Sequence, residues 1–148
     1  MLLTKREKFT VLLIEDNEGD ILLTRKAIGM CNLDTEIHVA KNGREGLEFL
    51  YKVKDNADMP TPDLVLLDLN MPELNGIEVL KEVKKSVELK KIPVIVLTTS
   101  TSDTDIIQSY NLNANSYISK PIDFFRFGEA ISKLLNYWFN VVLLPVRH

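Results

Sequence analysis

Nine residues constrain this chain more than any others: Leu64-Val65-Leu66-Leu67-Asp68-Leu69-Asn70-Met71-Pro72. Four apolar residues in a row describe a strand buried on both faces, the habit of parallel sheets covered by helices on each side. Asp68 ends the run, and Pro72 stands where a ladder cannot continue. An aspartate so placed lies at the carboxyl end of a central strand, where open α/β sheets bind their ligands. A polar residue that merely closes a strand is the competing account. One strand end does not decide between them.

Other strand ends bear on the choice. The run Phe9 to Ile14 stops at Glu15-Asp16. Adjacent carboxylates repel unless solvated or bound to a cation, and hard ions such as Mg²⁺ take oxygen ligands of this kind. An acid pair that complements the dipole of the next helix is the plain alternative. Ile92 to Leu97 runs into Thr98-Thr99-Ser100, hydroxyls that bind nearby backbone or donate to a phosphoryl oxygen. A weaker strand, Ala114 to Ser119, contains Tyr117 and ends in Lys120-Pro121.

Helical patterns separate these strands. Ile21, Leu22, Ala27 and Ile28 mark a helix over Asp20 to Met30, and Leu47, Phe49, Leu50 and Tyr51 mark a second. Ile77, Val79, Leu80 and Val83 give a third, with Asp103 as the expected N-cap of a fourth through Ile106, Ile107 and Tyr110. The last begins after Asp123, with Phe127, Ile131, Leu134, Leu135 and Trp138 on one stripe. Thr35 to Ala40 reads as a strand with a partly wet face, which makes His38 a surface residue. Asn42-Gly43 and Asn75-Gly76 read as turns, and Lys54 to Pro62 as a loop. Strand and helix alternate five times, the pattern of a three-layer α/β sandwich on a parallel sheet. One edge of it would gather Glu15, Asp16, Asp68, Thr98 and Lys120.

The 148 residues fit one domain with a single core. A net charge of −3 gives no basic footprint for nucleic acid. No apolar run spans a bilayer, and Met1 to Lys8 lacks the apolar centre of a signal peptide, so the expected location is cytoplasmic. Cys31, the single cysteine, is expected to be a small core residue.

The gathered residues would form an anionic pocket with one cation and one hydroxyl. Three carboxylates suit Mg²⁺, and a carboxylate such as Asp68 can accept a phosphoryl group as an acyl phosphate. No Gly-rich phosphate loop, Cys/His metal set or Ser/His/Asp order is present.

In these segments the chain resembles the receiver domain of two-component response regulators. The matching stretches are Val11 to Asp16, Asp63 to Gly76, Pro93 to Thr98, Tyr117 and Lys120-Pro121, in that order. The resemblance implies a flavodoxin-like fold with strand order 2-1-3-4-5. It implies Asp68 as phosphoacceptor, Glu15 and Asp16 as the acidic pair, and a backbone carbonyl of Asn70 as a further Mg²⁺ ligand. Thr98 becomes the switch hydroxyl, Tyr117 the switch aromatic and Lys120 the active-site lysine, with Thr99 and Ser100 flanking the phosphoryl group. A cis bond at Lys120-Pro121 is implied as well. Glu15-Asp16-Asn17-Glu18-Gly19-Asp20, Leu89 to Pro93, Leu97 to Ser100 and the Tyr137 to Pro145 ending resemble more narrowly the single-domain receivers associated with bacterial phytochrome histidine kinases. The expected partner is therefore a sensor histidine kinase. An aspartate-nucleophile phosphatase of the haloacid-dehalogenase type is the alternative, although Asn70 stands where that motif has its second carboxylate.

After the last helix, Tyr137, Phe139, Val141, Val142, Leu143, Leu144 and Val146 make an apolar run too short for an output domain. β-branched content and Pro145 favour an extended arm. The expected division is a receiver over 1–140 and an extension over 141–148, with a homodimer formed through the last helix and the arm. A run folded back on its own domain is the alternative.

Overall fold

Strands buried on both faces need helices on both faces, and the computed structural model has that architecture. It describes residues 8–56, 58–99, 102–120 and 123–144. The elements are β1 (Lys8–Ile14), α1 (Glu18–Gly29), β2 (Asp34–Ala40), α2 (Gly43–Asp55), β3 (Leu64–Leu67), α3 (Gly76–Lys85), β4 (Val94–Thr98), α4 (Asp103–Asn111), β5 (Ser116–Ser119) and α5 (Phe124–Asn136). A 3₁₀ turn over Leu89–Lys91 precedes β4, and a π-helical turn over Tyr137–Val141 continues α5. The sheet is parallel in the order β2-β1-β3-β4-β5, as the sequence leads one to expect.

The period of two along the central strands divides the core. Leu12, Ile14, Val65 and Leu67 join Leu47, Leu50, Val79, Leu80 and Val83 on the α2/α3 side. Val11, Leu13, Leu64 and Leu66 join Ile21, Ile28, Phe127, Ile131 and Leu135 on the α1/α5 side. Two side chains extend the ladder at its amino edge. Asp63 accepts from Thr10 N at 2.9 Å, and Asn115 accepts from Val94 N at 2.9 Å.

Several local expectations are corrected. Both Asn-Gly pairs begin helices instead of making turns: Asn42 and Asn75 are N-caps that accept from Glu45 N and Glu78 N. Asn17 caps α1 in the same way, bonding Asp20 N. An asparagine three residues before an acid satisfies an orphan amide of the first turn. Ser102, not Asp103, caps α4. His38 is half-buried and not a surface residue, its ring 5.1 Å from Phe49, while β2 as a whole keeps the partly wet character expected of it. Cys31 is only partly buried and lies against the α1/α5 core.

The chain end differs most. Instead of leaving as an extended arm at Tyr137, it makes the π turn. That turn buries Phe139, whose ring stacks on Phe9 at 4.1 Å, and Leu144 packs on the same cluster. The segment is in this part folded back on its own domain. Among the described residues there, only Tyr137, Val141 and Leu143 remain well exposed of the large apolar side chains. Pro145 and Val146 lie outside the described residues, as do Ser100 and Pro121, and with Pro121 the Lys120-Pro121 bond. Removing the Phe139 ring leaves a cavity against Phe9. Phe139→Ala should destabilise the domain by roughly 3–5 kcal/mol in urea unfolding.

Candidate functional site

Glu15, Asp68 and Lys120 each stand one residue beyond a strand, because the ladder continues past the strand ends. Glu15 N donates to Ala40 O at 3.0 Å, Asp68 N to Ile14 O at 3.0 Å, and Lys120 N to Thr98 O at 2.8 Å. Ile14 faces Leu67 across the β1–β3 pair. The next residues, Glu15 and Asp68, therefore meet at one level.

Carboxylate oxygens of Glu15, Asp16 and Asp68 lie within 4.8 Å of one another. Glu15 and Asp68 are buried, and Asp16 is half-buried. Lys120 reaches into the group from the end of β5. Its ammonium hydrogen-bonds Glu15, contacts Asp20 Oδ2 at 2.9 Å and lies 3.8 Å from Asp68 Oδ2. Asn70 N donates to Asp68 Oδ1 at 3.3 Å, and Asn70 Nδ2 donates to Thr98 Oγ1, also at 3.3 Å. Thr98 is fully buried, whereas Thr99 next to it is exposed. Tyr117 is half-buried on β5, against the α2/α3-side core.

Asp20 is the site residue that sequence reasoning missed. It reads as one of several acids opening a helix. One turn into α1, however, its side chain turns back to Lys120, and Thr24 Oγ1 bonds its carbonyl at 2.7 Å. Its only sequence signal is that of an acid in the first turn of the helix that follows Glu15-Asp16.

Close backbone packing brings α3 to the site. A Cβ on Gly76 would run into the Asp68 carbonyl and lie 2.6 Å from Leu69 Cα. Gly76 N also donates to Leu69 O at 3.1 Å. Glycine lets the first turn of α3 press on the loop that carries Asp68. In that loop Glu73 has φ 64°, a left-handed conformation that costs an L residue about 1–2 kcal/mol.

The electrostatics are those of crowded acids. Burial and a hydrogen bond with Asp68 raise the Glu15 pKa to about 7, more than Lys120 lowers it. Burial works against the Lys120 ammonium, but its bonds to Glu15 and Asp20 hold its pKa above the usual lysine value. Three oxygen donors with this excess of negative charge fit a hard divalent cation, and Glu15, Asp16 and Asp68 would hold it.

Without a cation, the raised Glu15 pKa has a definite sign. The folded protein keeps this proton between about pH 4.5 and 7, where the unfolded chain has lost it, so stability falls as pH rises through that window. In a chelator, thermal and urea unfolding should show a loss of up to about 3 kcal/mol from pH 4.5 to 7.5, and Glu15→Gln should flatten that slope.

Comparison with known proteins places this geometry. The family profile described as the response regulator receiver domain matches residues 11–132. Response regulator Rcp1 of Synechocystis sp. is 36% identical over 135 residues, covering 91% of this chain and 92% of the relative. The probable methanogenesis regulatory protein FilR2 of Methanothrix harundinacea is 35% identical, covering 92% of this chain and 87% of that protein. Among solved structures, the phosphorylated cyanobacterial phytochrome response regulator RcpA superposes with a TM-score of 0.88 at 35% identity, over 94% of this chain and 99% of the other. The Mn²⁺-bound form of Rcp1 superposes at 0.85, over 93% and 99%. The haloacid-dehalogenase reading finds no support in these matches.

Proposed function

The chain belongs to the response regulator receiver family, and from that premise we propose that Asp68 takes a phosphoryl group from the phosphohistidine of a sensor kinase. The observation that carries this reading is the Lys120 ammonium set among Glu15, Asp20 and Asp68, beside three carboxylates spaced for one cation. An Asp68 carboxylate oxygen attacks phosphorus, the phosphorus–nitrogen bond to the donor histidine breaks, and an acyl phosphate results. Glu15, Asp16, Asp68 and the Asn70 carbonyl would hold Mg²⁺, which when bound would supply charge neutralisation for the transferring group. Lys120 offsets a further charge, and Thr98 donates to a phosphoryl oxygen. Thr99 flanks the group, and Mg²⁺-dependent self-labelling and slow autodephosphorylation follow from the same site.

Similarity to RcpA and Rcp1 supports a phytochrome as the kinase. The output is a conformational switch: Thr98 moves toward the acyl phosphate and Tyr117 turns into the space left behind. The phosphoryl group must contact one of two packings better than the other for this to happen. No helix among the described residues is long and apolar enough to cross a membrane. A cytoplasmic protein partnered by a kinase is the reading we adopt.

Labelling by a small phosphodonor with Mg²⁺, followed by mass spectrometry, should locate the phosphoryl group on Asp68 alone. Asp68→Asn should abolish it, and Asp16→Asn should suppress it at least tenfold by weakening cation binding. Label at wild-type levels in Asp68→Asn would overturn the assignment.

Tyr137, Val141 and Leu143, the last 90% exposed, stand beside the last helix. We read residues 1–140 as the receiver and 141–148 as an extension through which two copies pair symmetrically. Light scattering at tens of micromolar should give a dimer mass, and Val141→Asp with Leu143→Asp should give a monomer. These two side chains are outside the core, unlike Phe139, so the variant tests association without unfolding the domain.

A further inference from the structure

Of the helices in the sandwich, α4 is the most lightly held. Ser109 is its one buried residue, and the Ser109 hydroxyl has no hydrogen-bond partner among the described residues. A buried hydroxyl without a partner costs stability where an apolar side chain would add it. Ile106 is only partly buried, and two other large side chains of α4 face water: Ile107 is 60% exposed and Tyr110 49%. The helix packs chiefly on α3 and β5.

A polar contact joins its end to the sheet. The Tyr110 hydroxyl accepts a hydrogen bond from Tyr117 N at 3.2 Å. Among the described residues β5 is an edge strand, paired with β4 alone. Lys120 N donates to Thr98 O, so by the two-residue alternation of a parallel ladder Ile118 also pairs inward, while Tyr117 N faces the open edge. That amide belongs to the residue assigned above as the switch aromatic. Tyr110 therefore ties the least anchored helix to the backbone from which the Tyr117 side chain must turn.

We propose that Tyr110 is a positioning residue: its hydroxyl, bonded to the edge amide of Tyr117, latches α4 to β5 in the arrangement seen here, and phosphoryl engagement at Asp68 releases it. This rests on the receiver reading of Asp68 and goes beyond it by naming a residue outside the site that sets the balance between the two packings. A bond present in one state and broken in the other biases the equilibrium by its own free energy. Its loss must then appear as tighter binding of whatever selects the other state.

The test is Tyr110→Phe, which removes one oxygen from a half-exposed ring and leaves the packing. The probe is beryllium fluoride with Mg²⁺, a phosphoryl mimic at carboxylates, titrated by fluorescence and followed by amide NMR. Tyr110→Phe should bind the mimic roughly two- to tenfold more tightly, the equivalent of one net hydrogen bond. Before any mimic is added, amide signals of β4 and β5 should move part of the way toward their mimic-bound positions. A stabilising role alone would lower the melting temperature without changing either readout. Ser109→Ala, which alters α4 packing but keeps the latch, should leave mimic affinity within twofold of the wild type. Unchanged affinity and unchanged free-state shifts in Tyr110→Phe, with a wild type that binds, overturn the latch alone. A wild type that does not bind the mimic overturns the parent reading of Asp68, and the latch with it.

Discussion

Parallel register between β1 and β3 is the constraint on which the site depends. Ile14 lies opposite Leu67, so whatever follows each strand is delivered to the same height. Here the chain delivers Glu15 and Asp68, two carboxylates that water would otherwise keep apart. The period of two along the sheet makes this placement rigid. A slip of one residue would exchange the Leu12/Ile14 face with the Val11/Leu13 face, mispack both halves of the core and carry Glu15 and Asp68 off the same level. Hydrophobic burial thus enforces an unfavourable electrostatic arrangement, and the arrangement is available for binding charge.

Strain collects around that point and is offset locally. Glu15 is driven toward its neutral form, while Lys120 is held charged by the acids around it. Two buried carboxylates and one ammonium form a poor structural ion pair, since desolvation consumes much of the Coulomb gain. They suit a site for a divalent cation. Glu73 in the left-handed region and Gly76 pressed on the Asp68 carbonyl show the same economy in the backbone. The β3–α3 loop is shaped for the placement of Asp68 at some cost in local conformation.

Across the sheet the fold is unevenly anchored. α1 and α5 bury aliphatic and aromatic side chains into one core, and the π turn adds Phe139 to it. α4 buries a serine. A rigid layer on one face and a lightly held helix beside β5 on the other is the distribution a switch needs. Two discrete packings can differ by little free energy only where few contacts are at stake.

Much of this was legible in the sequence because its signals are local. Apolar runs ending in Glu15-Asp16, Asp68, Thr98 and Lys120, separated by helical periods, determine a parallel α/β sandwich with those groups at one edge. Where the sequence misled, a local signal had two tertiary outcomes. Asn-Gly opens a turn or caps a helix, and His38 alternates toward a face that is wet only if no helix covers it. The Tyr137 to Leu144 run leaves the domain or folds back according to whether Phe9 offers a surface, which no pattern within the run records. Asp20 belongs to the site because α1 and β5, a hundred residues apart in the chain, converge on Lys120. Sequence by itself determined which chemistry the chain carries and on which edge. The tertiary structure alone decided which acid answers the lysine, which aromatic closes the core, and which helix is left loosely held, because each depends on a partner brought from elsewhere in the fold.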